Sequence, residues 1–161
     1  MLRRVLALCV LFPLVTQCSS VDWYEVFASG ETERIGAALD GGADINRACR
    51  TIHYEGSTFT LTPLHQAMCY YVGGPTGHEE KGVEIVRYLI SRGADVNARI
   101  PEDGRTPLHL AAGIDGIEAP LLYAALLEAG ADASIRDNRG RTAEEVRRET
   151  AEINREIRAG R

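Results

Sequence analysis

The sequence predicts an all-α solenoid of about four stacked helix-turn-helix units, capped at both ends and carrying an enlarged loop in the second unit. Three observations carry this expectation. The tract Gly42-Ala43-Asp44-Ile45-Asn46 returns as Gly93-Ala94-Asp95-Val96-Asn97 and again as Gly130-Ala131-Asp132. Between these copies stand Thr62-Pro63-Leu64-His65, Thr106-Pro107-Leu108-His109 and a degenerate Thr142-Ala143. Each Thr-Pro also has the chemistry of a helix start: the hydroxyl can cap a free backbone N–H, and proline at the first helical position gives up only an N–H that had no partner.

In chain order, Trp23-Tyr24-Glu25-Val26-Phe27 through Ile35-Gly36-Ala37-Ala38-Leu39 reads as a capping unit that begins at its first helix. The second unit opens at Thr62-Pro63, and its second helix lies in Val83–Ile90, where apolar residues recur at helical spacing. Gly93 then supplies the left-handed residue that ends the helix. This unit has two insertions: about eight extra residues between Asn46 and Thr62, and Tyr71–Glu80 (YVGGPTGHEE) between its helices. A third unit starts at Thr106-Pro107 and has about three extra residues around Gly113–Gly116. The last reads as a closing helix, Thr142–Ile157, with Ala143, Val146, Ile153 and Ile157 on one face and charges on the other. A polar outer face suits a terminal unit, on which nothing stacks. Leu64, Leu89, Leu108, Leu126 and Leu127 are expected in the core.

These alternating motifs resemble the ankyrin repeat, a unit of about 33 residues. The resemblance covers Asp22 to Arg158 and divides a domain at 21–161 into repeats near 21–46, 47–97, 98–134 and 135–161. It implies structural roles for Thr62, Pro63, His65, Gly93, Thr106, Pro107, His109 and Gly130, with each histidine bonding its neighbouring threonine and an adjacent loop. It also implies protein binding through a concave surface of loop tips and first helices. Candidate contacts there are Arg50, His53, Tyr54 and Phe59 in the long loop, Tyr70 and Tyr71 at a helix end, and Arg99, Glu102, Asp103 and Arg105 in the next loop. Tyrosine and arginine are enriched at interface hot spots. The alternative is that Tyr54 and Phe59 only pack the inserted loop and that the charges are merely solvated.

Other function classes find little support. A general base needs a nucleophile and an orienting group, and the chain has no GxSxG motif and no phosphate loop. No catalytic residue, cofactor or resident metal is expected, and the chain is not read as an enzyme. The formal net charge of -5 becomes -7 without Arg3 and Arg4, a poor footprint for nucleic acid.

Residues 1–20 have the layout of an export signal: Arg3 and Arg4, an apolar run of 11 residues from Val5 to Val15, then a polar break. The run is well short of the about 20 residues that span a bilayer as a helix. Val15-Thr16-Gln17-Cys18 resembles the lipobox of bacterial lipoproteins, with Gln17 where that family prefers Gly or Ala. Lipidation would make Cys18 the mature N-terminus and the lipid the only membrane contact. Cleavage near Ser19 or Ser20 is its rival. Both place the protein in the bacterial periplasm or on a membrane facing it, and an uncleaved cytoplasmic chain is the remaining alternative.

Without the leader, Cys18, Cys49 and Cys69 remain, an odd number for an oxidising compartment. Parity resolves if Cys18 carries lipid and Cys49 pairs with Cys69. By registration to the ankyrin unit, Cys49 lies at the root of the long loop and Cys69 near the end of a first helix that such a loop overhangs. A bridge closing about 20 residues would contribute roughly 3 kcal/mol in the chain-entropy model. A zinc site of Cys49, His53, His65 and Cys69 is the rival, opposed by the structural role implied for His65; two free thiols are the third possibility. The expected function is thus a monomeric protein-binding module with an unidentified protein partner. An inhibitor or immunity partner of an effector, a redox or metal-handling protein, and a purely structural envelope protein stay open beside it.

Overall fold

A computed structural model of the chain describes residues 21–48, 50–54, 57–72, 79–114 and 119–160. Helices α1 (Trp23–Ala28) and α2 (Thr32–Asp40) form the first unit. Strands β1 (Arg50–Tyr54) and β2 (Ser57–Leu61) precede α3 (Pro63–Val72) and α4 (Glu79–Ser91). Then come α5 (Pro107–Ala112), α6 (Ala119–Glu128) and α7 (Ala143–Arg158). First helices stack as an inner row, α1 on α3 on α5 on α7, and α4 packs on α6 behind them. Between the rows lie Phe27, Ile35, Leu64, Met68, Ile85, Val86, Leu89, Leu108, Leu122 and Leu126, all buried.

The recurring Gly-Ala-Asp tract is one turn built three times. Gly42, Gly93 and Gly130 have φ of +93°, +92° and +90°, a backbone that glycine alone adopts without strain. The alanine that follows donates back to the helix, as Ala94 N does to Leu89 O at 3.0 Å and Ala131 N to Leu126 O at 2.9 Å. Each aspartate then accepts from the backbone N–H two residues on. Asn46 and Asn97 tie successive turns together. Asn46 Oδ1 accepts from Asp95 N at 2.7 Å, and Asn97 Oδ1 accepts from Asp132 N at 2.8 Å.

Three features depart from expectation. The long loop between Asn46 and Thr62 contains an antiparallel hairpin in register Arg50↔Leu61, Ile52↔Phe59 and Tyr54↔Ser57. Its strands are rich in β-branched and aromatic residues and flank the two-residue Glu55-Gly56, a hairpin pattern. In the closing helix, Ala143 and Val146 are buried, but Ile153 and Ile157 are 56% and 66% exposed. Length explains this. At 1.5 Å per residue the six residues of α5 span about 9 Å and the sixteen of α7 about 24 Å, so the second half of α7 runs past its support. Leu127, expected in the core, is also 41% exposed. Between α3 and α4, residues 73–78 lie outside the described residues, as do 115–118 of the smaller insertion.

Candidate functional site

Two finger-like turns precede α5 and α7, on the side where the resemblance to ankyrin repeats places the concave surface. In the turn after the second repeat, Ile100 N donates to Arg105 O at 2.9 Å and Gly104 N to Ile100 O at 2.8 Å. Gly104 sits at φ +72°, and a Cβ there would collide with the side chains of Asn138 and Arg99. The next turn repeats the pattern, with Asp137 N donating to Arg141 O at 2.9 Å. Asp137 is buried at its centre and accepts from the N–H groups of Arg139 and Arg141 and from the Arg141 guanidinium. Burial alone would raise its carboxyl pKa, but the Arg141 and Arg139 bonds outweigh it and hold the group below its ordinary value.

The fingers are locked side by side. Asn138 N donates to Asp103 O at 2.8 Å and Asn138 Nδ2 to Glu102 O at 3.2 Å. The β-hairpin is held by the same turn: Thr60 donates its N–H to Glu102 Oε2 at 3.0 Å and its hydroxyl to Oε1 at 2.6 Å. Those two bonds lower the Glu102 pKa. The Arg105 guanidinium lies over the Phe59 ring, 5.9 Å from its centroid, while pairing with Asp103. Phe59, Glu102, Asp103 and Arg105 are therefore brought together, but largely to shape the surface. Arg99 and Arg139 are exposed on neighbouring fingers and have no acidic partner among the described residues.

The remaining candidates divide. Cys18 and Cys49 lie outside the described residues, as do the side chains of Arg50, His53, Tyr54, Tyr70 and Tyr71. Cys69 reaches the surface near the end of α3 and is unbonded among the described residues, with Cys49 outside them. Protein packed around its sulfur raises the thiol pKa, with the Arg105 charge working the other way. A raised pKa leaves little thiolate at neutral pH. The zinc rival has only His65 and Cys69 described, and among the described residues no three ligating side chains form a metal-holding group.

Both TPLH histidines bond their threonine. Thr106 donates its N–H to His109 Nδ1 at 3.3 Å, and its hydroxyl lies 2.9 Å from the same atom. His109 Nε2 faces Arg141 O at 3.0 Å, so the ring proton sits on Nε2 and ties this repeat to the next finger. His65 makes the first contact, Nδ1 to Thr62 Oγ1 at 2.8 Å, but its Nε2 has no partner in hydrogen-bonding geometry. Burial lowers its pKa from 6.5 to about 4, against the Ala98 and Arg105 carbonyls and the Asp103 charge, which favour the charged form.

Sequence reasoning missed the Asn46 and Asn97 clamps, although their recurrence four residues after each turn glycine was a visible signal. Thr60 and Asn138 gave no such signal, because each has its role only through a neighbouring finger.

Comparison with known proteins agrees with this geometry. A family profile described as "Ankyrin repeats (many copies)" matches residues 78–115, and one described as "Ankyrin repeat" matches residues 103–138. The chain is 46% identical over 99 residues to the NF-kappa-B inhibitor cactus of Drosophila melanogaster, covering 52% of this chain and 19% of that protein. It is 39% identical over 87 residues to the neurogenic locus Notch protein of the same fly, covering 51% and 3%. With the E3 ubiquitin-protein ligase KEG of Arabidopsis thaliana it shares 37% over 76 residues, covering 47% and 4%. The chain thus spans less than a fifth of each of these relatives. With its threefold turn, its threonine-bound histidines and these matches, the chain belongs to the ankyrin repeat family.

Proposed function

We propose that this chain is a non-enzymatic protein-binding module of the bacterial cell envelope, which holds its partner against the concave finger surface. Ankyrin repeats are protein–protein interaction modules. The observation that carries the reading is preorganisation. The hairpin, the Glu102 turn and the Asn138 turn are fixed to one another, so Arg99 and Arg139 stand on a surface that needs little ordering when a partner arrives. The same bonds account for Glu102, Asp103, Arg105 and Phe59 as the frame of that surface. The envelope location rests on the residue pattern of 1–20, with lipid on Cys18 and a bridge from Cys49 to Cys69 as parts of the same proposal.

The test places a photoreactive residue at Arg99, at Arg139 and, as a control on the opposite row, at exposed Arg87 of α4. One protein captured from the envelope fraction at both finger positions and not at Arg87 is the expected result. Equal capture at all three positions, or capture only from the cytosol, refutes the proposal. The intact mass of the same material, taken without reductant, reads lipidation at Cys18 and the state of the thiols.

A further inference from the structure

The large hydrophobic side chains left exposed among the described residues are Leu121, Leu127, Ile153 and Ile157, all at the C-terminal end of the stack. They form two shapes. The first is a groove of about 360 Å³ between α6 and α7, in which Pro120, Tyr123 and Leu127 face Arg147, Thr150 and Asn154. Both walls are spaced i, i+3, i+7, the stripe that one helix presents to another. The same kind of seat one repeat earlier is filled, because α6 itself lies against α4 and α5. Counting back from Gly93 and Gly130, Tyr123 corresponds to Val86 and Leu127 to Ile90. Val86 is fully buried and Ile90 partly buried, whereas Tyr123 is only partly buried and Leu127 is 41% exposed. The groove is thus a helix seat in the established repeat interface, carried one step further.

The second shape is a plug. Ile153 and Ile157 stand one turn apart on the overhanging half of α7. At 100° per residue they lie about a quarter-turn from the stripe that lines the groove, so one helix can serve as wall and plug together. Among the described residues Arg147 is the one charged side chain lining the groove, and it already pairs with Glu144 and lies over the Tyr123 ring, so it leaves no bare charge facing an apolar plug. Across α7 five glutamates are balanced by four arginines, so two copies of the helix repel each other little although the whole chain is acidic.

We propose that the C-terminal end of the solenoid binds a second copy of this chain, with Ile153 and Ile157 of each copy entering the α6–α7 groove of the other. Seat and plug on one end of one chain make a self-complementary patch, the requirement of a closed two-fold interface. This departs from the monomer expected from sequence and leaves the concave surface free.

Sedimentation velocity of the full chain tests it. The wild type is expected to be a dimer at micromolar concentration. Ile157→Glu spoils the plug and Leu127→Glu the seat, and each should weaken dimerisation by at least about 30-fold, the loss of a central apolar contact. Both side chains are exposed, so at concentrations low enough for the wild type to be monomeric the unfolding curves should coincide. Mixing the two variants should partly restore the dimer, since a mixed pair keeps one intact seat with one intact plug. A wild type that stays monomeric up to about 100 µM, a dimer indifferent to both substitutions, or a mixture no tighter than either variant would overturn the proposal.

Discussion

Acidification tests the burial of His65. Its folded-state pKa is about 4 against 6.5 for the free side chain, because burial disfavours the imidazolium more than the Ala98 and Arg105 carbonyls favour it. The unfolded chain takes up a proton as pH falls through 6.5, while the folded chain resists until about 4. The stability this contributes is complete above 6.5, is lost as pH falls from 6.5 to about 4, and is level below that. At 1.36 kcal/mol per unit the total is about 3 kcal/mol, and the slope in mid-window is roughly 1.4 kcal/mol per pH unit. Carboxylates held below their ordinary pKa, such as Asp137 and Glu102, act lower, as pH falls through the normal carboxylate range. The assay is urea unfolding, followed by circular dichroism at several pH values from 7 to 4.5, of wild type and His65→Gln. The variant keeps a polar group beside Thr62 but cannot titrate. Whatever its stability at pH 7, it should lack most of the slope between pH 6.5 and 5. Equal slopes in the two proteins would refute the argument that His65 is buried uncharged.

Two further predictions concern the ties between repeats. Asn97→Ala removes the bonds to Asp132 N and Gly130 O. Both freed groups can be reached by water, so the cost should be about 1 kcal/mol, read as a drop of roughly 2–4 °C in thermal midpoint; no change would mean the clamp is only apparent. Gly104→Ala and Gly140→Ala share the strain of a positive φ, +72° and +79°, about 1–2 kcal/mol. Only Gly104 has the Asn138 side chain in the way, and Gly140 has open space. Gly104→Ala should therefore be the more destabilising of the two by denaturant unfolding, and equal losses would show that the contact between fingers carries no energy.

The repeat was legible because its signals are local. A left-handed glycine, a Thr-Pro helix start and a histidine three residues after the threonine each act within one turn of chain. The hairpin is local too: TIHYEGSTFTL shows β-branched and aromatic residues about a two-residue turn. What the sequence withheld is of another kind. Glu102 and Arg105 look like free loop-tip charges, yet one holds Thr60 and the other covers Phe59, more than forty residues back. Such pairings depend on how far each finger leans on the next, a property of the stack and of no single repeat.

The two ends of the third repeat show how the same motif yields different surfaces. Around His109 the fingers close, with Nε2 reaching Arg141 O, and the following turn holds the Arg141 guanidinium on buried Asp137. On the other flank the helix that should shelter Tyr123 and Leu127 is replaced by the overhang of α7. The amphipathic pattern of α7 reads as a self-sufficient cap, and in its first half, through Val146, it is one. In its second half the same spacing of apolar residues continues over empty ground, because α5 stops after six residues. Periodicity states which residues share a face. Only the length of the neighbouring helix states whether that face is covered, and here the uncovered part is where a second molecule has the most apolar surface to gain.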